Sequence, residues 1–227
     1  MCFFMALYRP ALGYHKTMAV TSDSPVLWYF ADPMCSWCWG FSPVITQVKQ
    51  EFSGHVKIAL NLGGLRPGTT EPLSGKMRQE ILHHWQDVHR LTEQTFKFEN
   101  AMPEGFIYDT EPPCRAVLAF ARLNPVEALF YFATIQSAFY TEGCDVTRAN
   151  VLTDLTRQYA VDADEFETLF NSGELREVTQ AHFEHTRQAG VSGFPTVTWQ
   201  TGDKIDVLCT GYRPYTSLSE QIRERLK

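Results

Sequence analysis

Asp32-Pro33-Met34-Cys35-Ser36-Trp37-Cys38-Trp39-Gly40-Phe41-Ser42-Pro43 lies between two stretches of contrasting pattern. Before it, Val26-Leu27-Trp28-Tyr29-Phe30 is apolar and rich in β-branched and aromatic residues, as a strand requires. After it, apolar residues recur at helical spacing through Val44, Ile45, Val48 and Phe52. The two cysteines therefore fall at a strand-to-helix junction. Unpaired N–H groups and the helix dipole at such an N-terminus stabilise an anion, so the first thiol ionises more readily than a free one. A second thiol one turn further on is close enough to close a disulfide with the first. That assigns Cys35 as the attacking thiolate and Cys38 as the buried resolving thiol.

Two plainer readings compete. A Cys-x-x-Cys pair can be half of a zinc site, but tetrahedral zinc needs four ligands. No second such pair exists, and Cys114, Cys144 and Cys209 stand alone; His182 and His185 are the candidates that could complete one. No metal is expected on that ligand set. A purely structural disulfide is the other reading, weakened because so short a loop restricts the unfolded chain least.

A chain of 227 residues has room for one large domain, or for one domain carrying an insertion. Hydrophobic residues at 44% and charged residues at 20% supply a sizeable core and exclude a disordered chain. A net charge of −6 argues against nucleic acid or an anionic membrane as the main partner. Six cysteines at irregular spacing do not form a secreted disulfide scaffold. The N-terminal run from Met1 to Leu7 lacks a basic region and is broken by Arg9 and Pro10, so it does not read as a signal peptide. Residues 1–24 read as a poorly ordered leader, with Met5 and Met18 as alternative starts. A cytoplasmic protein is expected, in which a Cys-x-x-Cys is more often catalytic than structural.

Val56-Lys57-Ile58-Ala59-Leu60-Asn61-Leu62 reads as a second strand, and strand–helix–strand at this spacing is a right-handed βαβ unit. Gly63-Gly64-Leu65-Arg66-Pro67-Gly68 lacks the ending of a phosphate loop and reads as a domain exit. Helical patterns then fill most of residues 74–189. They include a stripe of Met77, Ile81, Leu82, Trp85 and Val88, a proline-led start at 109–113, one aromatic helix over 126–140, and a capping box at Asp162. Strand character returns at 195–200, pairs across Gly202-Asp203 with 204–208, and gives way to a terminal helix over 215–226. The layout is βαβ, then helices, then ββα. This divides the chain into one domain built from residues 25–72 and 190–227 and an inserted helical domain over 73–189.

Gly193-Phe194-Pro195-Thr196 puts a proline at the head of the third strand. A trans proline opening an edge strand and a cis proline in a tight turn both fit this position. The cis form would expose the backbone of Phe194 beside the thiols, free to pair with an extended substrate.

Together, the string from Asp32 to Phe41 and the closing Gly193-Phe194-Pro195-Thr196 resemble the thioredoxin superfamily. Within it they are most similar to the DsbA-like branch and its FrnE-like bacterial subgroup, over roughly residues 25–226. The resemblance implies an α/β, thioredoxin-like βαβ…ββα fold with a large helical insertion. It also implies a protein-disulfide oxidoreductase with Cys35 as nucleophile, Cys38 as resolving cysteine and Pro195 as cis-proline. Pro43 matches the proline that bends the active-site helix in many thioredoxins. Disulfide-containing protein or glutathione is the implied partner, with no cofactor beyond glutathione as co-substrate. The position six residues before the nucleophile, where relatives carry a buried acid, is Tyr29 here, which leaves Asp32 or a water to handle the proton of Cys38. The alternative is a glutathione-dependent isomerase or transferase of the hydroxychromene-carboxylate isomerase or kappa type, in which a serine stands where Cys35 does.

Met34, Ser36, Trp37 and Phe194 are the candidate substrate-binding residues around the thiol. Phe41 is expected to pack the helix onto the sheet instead, while Trp39 either packs there too or joins the landing surface. Cys114, at a helix start, is either a third redox thiol or a free buried cysteine. The seven histidines are expected on solvated faces.

Overall fold

The structure, a computed structural model, describes residues 24–227. The expectations for the leader and the alternative starts lie outside the described residues. Among the described residues, four strands and eight α-helices follow in chain order. Strand β1 (Val26–Ala31) leads into helix α1 (Ser36–Glu51) and strand β2 (Lys57–Leu62). Strands β3 (Thr196–Thr201) and β4 (Lys204–Thr210) and helix α8 (Tyr215–Arg225) close the chain. The sheet order is β2-β1-β3-β4, with β1 parallel to β2 and antiparallel to β3.

Register divides the sheet residues between two faces. Tyr29 pairs with Leu60 in β2 and with Val197 in β3, so these three share a face, as do Leu27, Ile58 and Trp199. On this face Tyr29 meets Phe41 of α1, ring centroids 5.7 Å apart. Both rings are fully buried. The opposite face carries Trp28, Phe30 and Asn61.

Between β2 and β3 lie six helices: α2 (Gly75–Thr92), α3 (Glu111–Leu123), α4 (Ala128–Ser137), α5 (Ala149–Thr156), α6 (Ala163–Asn171) and α7 (Gly173–Gln188). Local chemistry sets their ends. The Ser74 hydroxyl accepts from the Met77 amide at the start of α2, Asp162 accepts from Glu165 at α6, and Ser172 accepts from Leu175 at α7. Pro112 and Pro113 occupy the first turn of α3, where no helical N–H is needed. The helix expected over 126–140 begins later and ends in a π-helical turn at Ala138–Glu142. That turn rotates Phe139 and Tyr140 into a cluster with Trp85 and Phe96, a tertiary demand invisible to local periodicity.

The last inserted helix, α7, covers the second face of the sheet. The Asn61 side-chain amide donates to the Thr186 hydroxyl (2.7 Å), and the His185 ring meets Trp28 edge-on at 5.4 Å. The Leu62 amide approaches His182 Nδ1 at 3.3 Å. This corrects the expectation of a solvated face for His182, which burial holds below its ordinary pKa; His185 is exposed, with one side of its ring against Trp28. Their periodic placement was legible, but the sheet they lie against is a long-range partner. Because they occupy the face opposite α1, they cannot join Cys35 and Cys38 as zinc ligands.

Candidate active site

The active-site residues follow from how β1 ends. Asp32 turns the chain: its carbonyl accepts from the Cys35 amide (3.1 Å) and its carboxylate from the Met34 amide (2.8 Å). Cys35 is then the N-cap residue of α1, in extended conformation and with no side-chain cap. The first-turn amides of α1 are left facing the Cys35 end of the helix, which is the setting that favours a thiolate. Cys38 lies one turn on and is fully buried. Burial first, and then the neighbouring Cys35 sulfur, hold its thiol well above the ordinary value. Cys35 and Cys38 are both free thiols here.

The Phe194–Pro195 peptide bond is cis. The Cys35 thiol donates to the carbonyl oxygen of Phe194 at 3.6 Å, which brings the two ends of the sequence motif together across 159 residues. The Gly63-Gly64 pair, expected only as a domain exit, forms the seat for this loop. A Cβ on Gly63 would lie 2.1 Å from Cζ of Phe194, and one on Gly64 would lie 2.7 Å from the Phe183 ring. Gly64 also has φ +67°, a left-handed conformation that glycine adopts without penalty. Gly63→Ala is therefore expected to push the Phe194 ring away from the sheet and shift the carbonyl facing Cys35. The cost should be about 1–3 kcal/mol in stability from overpacking. Misplacing the reacting groups by about 1 Å should lower turnover up to about a hundredfold. A thermal melt beside a thiol–disulfide exchange assay separates the two effects.

Ser36 and Trp37 are partly exposed beside the thiols, and Phe194 is partly buried with its ring over Gly63. Met34 differs from the expectation of a landing surface. Its side chain is fully buried, and its carbonyl accepts from the Tyr108 hydroxyl. A residue next to the nucleophile in sequence is turned inward here by the Asp32 turn. Phe41 packs onto the sheet as expected, whereas Trp39 faces the insertion. Its ring stacks on Tyr140 at 6.0 Å with an interplanar angle of 11°, and its Nε1 donates to the Thr95 carbonyl (3.0 Å). The insertion is thus bonded to the first turn of the active-site helix.

Cys114 and Asp32 form the part of the site least visible in the sequence. Cys114 sits in the first turn of α3, fully buried, and its thiol donates to Asp32 Oδ2 at 3.5 Å. Burial raises the thiol well above its ordinary value, outweighing the helix start that suggested a reactive third cysteine. Tyr29, at the position of the relatives' buried acid, is a buried phenol beside Cys38, and burial first, then Cys38, holds it well above its ordinary value. Burial holds this phenol fully protonated.

Among the described residues no cluster of three or more His, Cys, Asp or Glu could hold a metal ion, and no helix is long and apolar enough to cross a membrane.

Comparison with known proteins extends this geometry. A family model described as a DSBA-like thioredoxin domain matches residues 26–223. Among solved structures, a "putative protein disulfide isomerase" from Nitrosomonas europaea is 43% identical, with a TM-score of 0.85 over 89% of this chain and 98% of that one. The cytosolic disulfide reductase DsbM of Pseudomonas aeruginosa is 27% identical, with a TM-score of 0.75 over 89% of this chain and all of that one, and a second structure holds it with GSH. Among curated proteins, the ClpXP adapter protein SpxH of Halalkalibacterium halodurans is 21% identical over 83% of this chain. The chain spans 63% of the length of that relative, and 57% of the Bacillus subtilis protein of the same name. The residues from β1 to α8 belong to the family of DSBA-like thioredoxin domains, the fold of the thiol–disulfide oxidoreductases.

Proposed function

We propose that the protein is a thiol–disulfide oxidoreductase that reduces protein or glutathione-mixed disulfides in the cytoplasm. The observation that carries this reading is the Cys35 thiol at the start of α1, set against the Phe194 carbonyl, with Cys38 buried behind it. In the first step the Cys35 thiolate attacks a substrate disulfide. A Cys35–substrate disulfide forms, and the displaced half leaves as a thiolate that takes up a proton. In the second step Cys38 loses its proton and attacks the Cys35 sulfur. The Cys35–Cys38 disulfide forms and the second substrate thiol is released. Two electrons have passed from the dithiol to the substrate, and two thiols of glutathione class restore the reduced pair.

The reducing direction is supported by two features. Ser36 and Trp37 place no cationic side chain between the cysteines. The similar DsbM is named a cytosolic disulfide reductase, and one of its structures holds GSH. The Phe194 carbonyl offers a backbone acceptor to an extended or glutathione-like substrate. Two adjacent free cysteines disfavour the glutathione-dependent isomerase alternative, whose chemistry needs one activating hydroxyl and no resolving thiol.

Equilibration in glutathione redox buffers followed by thiol trapping measures the potential of the Cys35–Cys38 couple. A potential of roughly −220 mV or lower is expected for a reductase. A potential near −120 to −180 mV would instead mark an oxidant or isomerase. Failure to form any disulfide would move the isomerase chemistry to the front.

A further inference from the structure

A pocket of about 330 Å³ opens beneath the edge strand β2, between the C-terminal end of α1 and the helices α3 and α4. Its walls include Ile58 and Leu60 from β2, Val117 and Leu118 from α3, and Ala128 and Leu129 from α4, with Lys49 of α1 beside them. In register, Ile58 and Leu60 continue the face of Leu27 and Tyr29 one strand further out. Leu27 and Tyr29 are completely buried, whereas Ile58 and Leu60 are only partly so. The apolar face of the sheet thus extends past the helices that cover it, and the insertion forms the far wall of the gap. Its volume lies at the small end of the range of about 300–1,000 Å³ that small-molecule sites occupy.

Lys49 supplies the polar chemistry of this pocket. It lies in the last turn of α1, partly buried, and its Nζ donates to the Val126 carbonyl at 2.7 Å. The same ammonium stands 4.7 Å from the centre of the Phe130 ring. Burial lowers its pKa, with the charge of Glu127 acting in the opposite sense. The Glu127 carboxylate is itself held by the Asn124 side-chain amide at 2.7 Å. A cation drawn from water against apolar surface is costly unless an anion meets it. The Val126 carbonyl takes one of the three ammonium donors, which leaves capacity for an anionic head group.

We propose that this pocket binds a medium-chain aliphatic carboxylate, with its chain between β2 and the helices α3 and α4 and its carboxylate on the Lys49 ammonium. The site lies apart from the thiols and does not depend on the oxidoreductase reading. One cation matches one anionic head, and the aliphatic walls match an unbranched tail. A sugar, nucleotide or peptide would bury hydroxyls, phosphates or amides against leucine, isoleucine and valine, with Lys49 and Ser53 as the polar side chains to meet them. The small volume selects a chain of the length of octanoate over a long-chain acid.

The test titrates sodium octanoate, below its micelle concentration, into the reduced full chain and follows the isoleucine, leucine and valine methyl signals by NMR. Saturable shifts are expected at Ile58, Leu60, Val117 and Leu129, while those of Ile205 and Val207, exposed on β4, stay in place. Lys49→Met keeps the packing of the stem and removes the charge. It should weaken octanoate binding about tenfold or more, the scale of a charge-assisted hydrogen bond. Octan-1-ol, with the same chain and no charge, should bind wild type and Lys49→Met alike, and more weakly than octanoate binds wild type. Ala128→Phe fills the pocket and should abolish binding of both ligands. Equal octanoate affinity in wild type and Lys49→Met, shifts centred on Ile205 and Val207, or no saturable shift at all would overturn the proposal. If Ala128→Phe does not fold, the wild-type shift map and the Lys49→Met comparison decide.

Discussion

Cys35→Ser is expected to reduce disulfide-exchange turnover to background, a loss on the order of 10⁴–10⁶-fold, as for removal of other catalytic nucleophiles. Serine keeps the size of the side chain and its place at the α1 N-cap, so the fold should be unchanged. What disappears is the sulfur nucleophile itself, for which a hydroxyl has no substitute. Cys38→Ser should behave differently. Cys35 would still attack and release the first thiol, but the second step would have no nucleophile. A stoichiometric Cys35 mixed disulfide should then accumulate, visible as a mass adduct on the intact protein, with multiple turnover lost. Equal and complete loss of adduct formation in both variants would refute the assignment of nucleophile and resolving thiol. Retention of multiple turnover by Cys38→Ser would show instead that external thiols resolve the intermediate.

The second large effect is expected far from the thiols, at Trp85. This residue of α2 is 1% exposed and lies at the centre of an aromatic cluster, 5.1 Å from Tyr140 and 5.3 Å from Phe96 between ring centroids. Trp85→Ala should destabilise the protein by about 3–5 kcal/mol, because the cavity is walled by rings that cannot all collapse inward. The indole Nε1 is buried without a partner, so Trp85→Phe loses no hydrogen bond and should cost less than about 1.5 kcal/mol. Denaturant unfolding distinguishes the two. The cluster also bears on the site. Tyr140 stacks on Trp39, directly after Cys38, so loosening Trp85 frees the first turn of α1. Trp85→Ala should accordingly lower turnover under conditions where the protein is still folded, while Trp85→Phe leaves it near wild type. A Trp85→Ala variant as stable as wild type would contradict this account of the core.

Contacts between near neighbours in the chain account for the parts of the molecule that could be read from local pattern. The strand before Asp32, the helix after it and the spacing of Cys35 and Cys38 are all local patterns, and so is the polar cap at Asp162. Each is set by hydrogen bonds or side-chain periodicity within one turn or one strand. The pairing of the cysteine motif with Pro195 was legible only because both ends resemble one family; periodicity left cis and trans open, and contact with the thiol decides which backbone carbonyl faces it. Tertiary structure alone decided the rest. Gly63 seats Phe194, Met34 turns inward, Trp39 faces the insertion, and His182 and His185 lie on the sheet. Asp32 and Cys114, 82 residues apart, meet in a pocket that neither segment announces. The physical reason is common to all of these. A side chain's burial and its partner are set by elements brought together through the sheet and the six inserted helices, and the same residues in another packing would have ionised, bonded and faced solvent differently.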